Sequence, residues 1–138
     1  MDRYLYEPGV LPIGFRLPGT YLTLVTQDEL PDLDPWWFLC MRRESCLFWL
    51  ETLKKQYPER SLIPFAKVGH TDDVACFDGS DTSGNPKVFY VHTYTTPGWE
   101  RRGEAADFEQ WLIEAKEDSE EYLAQIAEDD APEPEATV

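Results

Sequence analysis

Two short apolar runs separated by a polar turn constrain this chain most. They are Leu62-Ile63-Pro64-Phe65-Ala66-Lys67 and Asp72-Asp73-Val74-Ala75-Cys76-Phe77-Asp78, with Val68, Gly69, His70 and Thr71 between them. Runs this short, bounded by turn residues, read as paired strands. Pro64 has no backbone N–H to give to a ladder, so the first strand is expected to start late or to lie at an edge. Asp72 and Asp73 lead the second strand, and Asp78-Gly79 closes it with a pair that favours a tight turn. A third run, Lys87 to Tyr94, alternates branched and aromatic residues. The three together predict an antiparallel meander, and no catalytic motif lies within it.

The flanking segments supply helices for that sheet. Residues 1–17, with Pro8, Gly9, Pro12 and Gly14, read as an irregular lead-in whose aromatic residues cover part of the core. Pro18 can open a helix with Tyr21, Leu22, Leu24 and Val25 on its apolar face. The β-branched Thr20, Thr23 and Thr26 leave a strand open there. Gln27 to Pro35 is a polar loop, and the apolar run Trp36 to Met41 suits a strand covered on both faces better than a buried helix. From Arg43 to Gln56, Cys46, Trp49, Leu50 and Leu53 recur at helical spacing, and Pro58 stops the helix. Ser80 to Pro86 reads as a mobile hairpin loop. Thr93 to Gly103 holds one more short strand after a turn, and Glu104 to about Ala127 forms a closing helix striped by Phe108, Trp111, Leu112, Ala115 and Tyr122. The expected organisation is one domain over residues 1–127, followed by a disordered acidic tail at 128–138.

A formal net charge of −15 in 138 residues sits badly with a surface meant for nucleic acid or for an anionic membrane. A cationic protein partner fits it better, because complementary charge speeds encounter and fixes register. Solubility alone is the plain alternative. Cys40, Cys46 and Cys76 lie in apolar runs and are odd in number, which predicts buried free thiols in a reducing compartment. There is no CxxC pair to suggest zinc. Met1-Asp2-Arg3-Tyr4 has neither a basic n-region nor an apolar h-region, so no signal peptide is expected. No apolar run approaches membrane-spanning length, and the expected location is the cytoplasm.

Three constellations carry possible chemistry. His70, Asp72, Asp73, Asp78 and Asp81 form the densest group of potential metal ligands, and Asp78 to Asn85 faintly echoes a calcium loop. That stretch lacks the alternating ligands and the terminal glutamate, so turn-capping aspartates are preferred. Cys76 with His70 or His92 has the residue types of a thiol nucleophile, but it sits mid-strand, where a thiol behaves as a small hydrophobe. No Gly-rich phosphate loop, GxSxG or HExxH is present. The sequence therefore assigns no catalytic residue, no cofactor and no metal ligand. The third constellation is a binding surface. Trp99, on a loop, is the aromatic candidate, and Asp28, Glu29, Asp32, Asp34 and Asp72 are its acidic companions. A solvated loop is the plain reading of the same acids.

The residues at the centre of the meander, Leu62 to Ala66 and then Asp72 to Phe77, resemble the signature of the SUKH superfamily. Leu17-Pro18 with Tyr21, Leu24 and Val25 is similar to that family's early helix, and Phe108, Trp111 and Leu112 to the opening of its closing helix. The likeness covers roughly residues 17–113. One departure is Gln27-Asp28-Glu29-Leu30-Pro31, which stands where members often carry an Asn-Gly-Gly-like turn. The resemblance implies an α+β domain: a mostly antiparallel, twisted sheet with helices packed against it. It also implies a binding role without catalysis. Bacterial members are immunity proteins that neutralise a cognate toxin, often a nuclease or deaminase, and such toxins tend to be basic. Fungal members regulate cell-wall assembly, which leaves a regulatory interaction module as the alternative. No catalytic residues carry over. The matched Pro64, Phe65, Asp73, Cys76, Phe77 and Trp111 are as easily fold-determining as functional.

Overall fold

The computed structural model describes residues 3–98 and 100–130. In chain order these form α1 (Gly19–Val25), β1 (Trp36–Phe38), a 3-10 turn (Leu39–Met41), α2 (Arg43–Gln56), β2 (Leu62–Val68), β3 (Asp73–Asp78), β4 (Val88–His92), β5 (Arg101–Ala105) and α3 (Phe108–Asp130). The five strands lie side by side in sequence order, and every neighbouring pair is antiparallel. The predicted α+β meander is therefore present, with one strand added at each side and a long C-terminal helix.

Register decides which side chains meet which helix. Trp36 and Phe38 both pack edge-on against Trp111 of α3. Trp37 between them must point the other way, since strand side chains alternate. Its partner across the ladder is Lys67, whose Nζ stands 5.4 Å from the centre of the Trp49 ring on α2. Thus α1 and α3 cover one face of the sheet, and α2 covers the other through Cys46, Trp49, Leu50 and Leu53.

Pro64 lies in an interior strand, not at an edge, and β2 already begins at Leu62. The fold accommodates the proline in two ways. β1 is only three residues long and pairs with Ala66, Lys67 and Val68, so it leaves Pro64 without a ladder neighbour on that side. On the β3 side Pro64 opposes Cys76 and Ala66 opposes Ala75, which makes Phe65 the extra residue of a bulge. The bulge swings Phe65 onto the α1–α3 face, where it stacks on Phe77 at 4.2 Å and meets Tyr21, Phe108 and Trp111 edge-on. All five rings are buried, and they form the centre of the core. The lead-in closes the gap beside Pro64: the buried Tyr6 donates from Oη to the Pro64 carbonyl at 2.6 Å.

Several expected boundaries move. The apolar run Trp36 to Met41 is a strand only as far as Phe38; it then tightens into the 3-10 turn that leads to α2. Asp72 belongs to the β2–β3 turn, not to the strand. Gly19–Val25 is helical, with the Leu22 N–H donating to the Pro18 carbonyl, so the strand alternative fails there. Glu104 pairs with Phe89 in β5. The closing helix starts at Phe108, capped by Asp107, whose Oδ1 accepts the Gln110 N–H at 2.9 Å. That helix runs on through Asp130, past the expected boundary at 127, and residues 131–138 lie outside the described residues.

Candidate protein-interaction surface

The β2–β3 turn is held from every side. Lys67 Nζ donates to the Val68 carbonyl at 2.8 Å and also to the Thr71 carbonyl. Burial lowers the Lys67 pKa, while Asp72 and Asp73 oppose that shift. Thr71 Oγ1 donates to Asp73 Oδ2 at 2.9 Å and accepts the Asp73 N–H. Asp73 Oδ1 lies 2.9 Å from His92 Nδ1 on β4. Thr93 donates both its N–H and its Oγ1 to the Asp72 carbonyl. With the backbone fixed in this way, the exposed Asp72 carboxylate is presented on a rigid support, which lowers the ordering cost of binding.

The acidic loop before β1 is joined to that turn. Leu33 is its buried anchor and bridges to Trp36, while Asp32 Oδ1 accepts the Asp34 N–H at 3.1 Å. The Asp34–Pro35 peptide is cis, and the Pro35 carbonyl accepts the Gly69 N–H at 2.9 Å. These bonds bring Asp32 and Asp34 to the same end of the sheet as Asp72. Asp28 and Glu29 are also exposed, but they lie in the bend after α1, and the bonds that tie the loop to the turn do not extend to them. Trp99 lies outside the described residues.

Helix α3 adds to the same end. Its sequence holds nine acidic residues against the single Lys116. Asp118 accepts from Trp36 Nε1 at 3.3 Å, Glu114 accepts from Tyr90 Oη at 3.1 Å, and Tyr122 stacks on His70 of the β2–β3 turn. Burial foremost, and then the Glu114 carboxylate, raise the Tyr90 pKa. Loop, turn and helix thus converge on one acidic region built on the ordered end of the sheet.

The chemical candidates resolve into structural roles. Asp78 Oδ1 accepts both the N–H and the hydroxyl of Ser80, at 3.0 and 2.6 Å. Asp81 Oδ1 accepts the Ser83 N–H at 2.8 Å, and the hydrogen bonds from Ser83 hold its carboxyl below the usual carboxylate range. Both are turn caps of the β3–β4 hairpin. Among the described residues, no group of three or more His, Cys, Asp or Glu side chains is placed to hold a metal ion. Cys76 is fully buried, and burial raises its pKa. Cys76 opposes Pro64 and Phe89, whereas His92 opposes Asp73, so the two side chains point to opposite faces of the sheet. Burial likewise pushes the Cys46 thiol up to about 12 and raises that of Cys40. All three cysteines are buried and free.

Sequence reasoning missed a row of exposed apolar side chains. Phe48 and Met41 are each 56% exposed and Tyr94 is 61% exposed. Trp49 links Phe48 to Tyr94, with ring centres 5.2 and 6.2 Å from its own. A groove of about 390 Å³ runs among Trp37, Met41, Arg42 and Ser45 on the same face. Tyr94 holds φ of 61°, a conformation a bulky side chain rarely adopts, with its N–H pinned 2.6 Å from Gln56 Oε1. The sequence did carry a signal for Phe48. At 100° per residue it falls opposite the stripe of Cys46, Trp49, Leu50 and Leu53, so it is an apolar residue on the solvent side of α2. Tyr94 carried none, because its backbone conformation depends on Gln56, distant in sequence.

No curated protein and no solved structure matches the chain. The sequence model of the SMI1 / KNR4 family (SUKH-1) matches residues 11–114, which is 104 of the 138. The match takes in α1, α2, all five strands and the first two turns of α3; the acid-rich remainder of α3 lies beyond it. With three quarters of the chain matched, and with the meander, the Pro64 bulge and the Phe108–Trp111 packing in place, this protein belongs to the SMI1 / KNR4 family (SUKH-1).

Proposed function

We propose that this protein is a non-catalytic binding domain that neutralises a basic toxin domain of nuclease or deaminase type, acting as an immunity protein in the cytoplasm. The observation that carries the reading is the acidic region where Asp32, Asp34, Asp72 and the carboxylates of α3 converge on a hydrogen-bonded end of the sheet. Enzymes that act on nucleic acid present cationic grooves to phosphate. A rigid surface of the opposite sign is suited to cover such a groove and to draw its owner in from a distance. Family membership supports a protein-interaction role. The same membership is shared by regulators of cell-wall assembly, which form the second reading.

Affinity capture separates the two readings. The tagged protein is offered to an extract of its own organism at low salt, and each bound protein is purified and assayed with and without it. A stoichiometric basic nuclease or deaminase that loses activity in the complex is the expected result. Envelope-synthesis or signalling proteins with unchanged activity would favour the regulatory reading. A tight complex wholly indifferent to salt would remove the electrostatic part of the proposal.

A further inference from the structure

We infer that the cationic, aromatic face of the α2 side docks the acidic outer end of α3 from a second copy of this chain, so that copies join head to tail. The inference goes beyond the functional reading above and does not depend on it. Two exposed apolar surfaces carry it, and their local charges are opposite. The first lies over α2. Met41, Phe48 and Tyr94 are its exposed side chains, and the partly buried Trp37 lines a groove with Met41, Arg42 and Ser45. The helix and its cap residue carry Arg42, Arg43, Lys54 and Lys55 against Glu44 and Glu51, and Glu51 lies 4.0 Å from Lys55. No side chain caps the first turn, so the N–H end of the helix adds to the positive potential. An acidic protein thus keeps a cationic patch around exposed rings, a surface of the kind that partners cover.

The second surface is the outer end of α3. The stripe that Trp111, Ala115 and Ser119 bury continues at helical spacing into Tyr122, Leu123 and Ile126, but the burial does not continue with it. Leu123 is 43% exposed, and Tyr122 and Ile126 are half-buried. Glu120, three residues before Leu123, and Asp129, three after Ile126, border this stripe. An apolar stripe edged by carboxylates is the complement of rings edged by guanidinium and ammonium groups.

Charge selects the pairing. Two α2 faces would set cations against cations, and two α3 ends carboxylates against carboxylates; the unlike pair attracts. Because α2 and α3 cover opposite faces of the sheet, a copy that offers its α2 face to one neighbour offers its α3 end to another. The contact then repeats without closing. The net charge of −15 opposes approach from a distance. At about 0.15 M salt the screening length is about 8 Å, which removes most of that repulsion and spares the close pairs.

The test is sedimentation of the full chain at that salt, at concentrations up to about 1 mM, the weak end of specific association. The wild type should grow past a dimer as its concentration rises. Arg42→Gln with Phe48→Gln disables the α2 face, and Glu120→Gln with Leu123→Gln disables the α3 end. All four positions are exposed, so both variants should melt as the wild type does. Each variant alone should self-associate at least about tenfold more weakly than the wild type. An equimolar mixture of the two holds one intact pair of surfaces, and should form a one-to-one dimer and stop there. A wild type that stays monomeric or stops at a dimer would overturn the inference. So would a variant that assembles as the wild type does, or a mixture that associates no better than either variant. A monomeric wild type whose α2 face captures an acidic protein, lost in the Arg42→Gln, Phe48→Gln chain, would give that face to a different occupant and overturn the inference as well.

Discussion

Replacing Phe65 tests how the proline bulge and the core depend on each other. Phe65 is fully buried and is the extra residue that the bulge turns onto the α1–α3 face. Truncation to alanine removes a whole ring from the centre of five, which costs about 3–5 kcal/mol through lost transfer energy and a cavity. The stacked contact with Phe77 and the edge contacts with Tyr21, Phe108 and Trp111 place the cost in the upper part of that range. Phe65→Leu keeps most of the volume and loses chiefly the ring–ring geometry, so about 1–2 kcal/mol is expected. Phe48→Ala, on an exposed ring of the same type, should stay within about 0.5 kcal/mol of the wild type. Equilibrium urea unfolding, followed by tryptophan fluorescence and by far-UV circular dichroism together, gives all three values. A cost below about 1.5 kcal/mol for Phe65→Ala, or equal costs for the alanine and leucine variants, would refute the view that the bulge exists to seat this ring.

Other consequences are as direct. Tyr6→Phe removes the donor to the Pro64 carbonyl and should cost about 1–3 kcal/mol in the same unfolding assay, because a buried acceptor is left unpaired; no change would mean that water reaches that carbonyl. Tyr94→Gly relieves the left-handed backbone, whereas glycine raises the entropy of the unfolded chain. Its melting should therefore show a stability unchanged or up to about 1 kcal/mol higher; a loss of more than about 1 kcal/mol would contradict the assigned strain. Stability should also fall at alkaline pH. The folded state keeps the protons of Cys40, Cys46 and Cys76, which burial raises, while the unfolded chain releases them from about pH 9. Above that pH the unfolded state binds fewer protons, so stability drops by about 1.4 kcal/mol per pH unit for each thiol that the folded state still keeps protonated. Their contribution is fully present below about pH 8. A stability constant from pH 8 to 11 would refute the burial of the thiols.

How much of this was legible depends on how local each cause is. The span of α2, from Arg43 to Gln56, could be read directly, because its stripe, its closing Lys54 and Lys55 and the following Pro58 all act within a few residues. The pairing of β2 with β3 was equally plain. Pro64 was misplaced because the missing N–H was visible but the shortness of β1 was not. Only the register of Trp36, Trp37 and Phe38 on Val68, Lys67 and Ala66 leaves the proline unopposed. The run Trp36 to Met41 read as one strand because the need of α2 for a sharp entry leaves no mark in an apolar hexapeptide. In the candidate site, the exposure of Asp28, Glu29, Asp32, Asp34 and Asp72 followed from their charge. The joining of the Asp32–Asp34 stretch to Asp72 rests on the bond from the Gly69 N–H to the Pro35 carbonyl, which no local pattern announces. The aromatic surface was hidden for a similar reason, since most tryptophans and phenylalanines here are core. Exposure of Phe48 follows from helical phase, and exposure of Tyr94 from a contact with distant Gln56.

The acidic surface is tested most directly by the association rate of the captured partner as a function of salt. The wild type is compared with a chain carrying Asp32→Asn, Asp34→Asn, Asp72→Asn and, on α3 beside Tyr122, Glu121→Gln. The account predicts a rate for the wild type that falls steeply as salt rises, and a slower, flatter dependence for the neutralised chain, with both chains equally stable. A rate for the wild type that does not respond to salt, or one that the four substitutions leave unchanged, would contradict it.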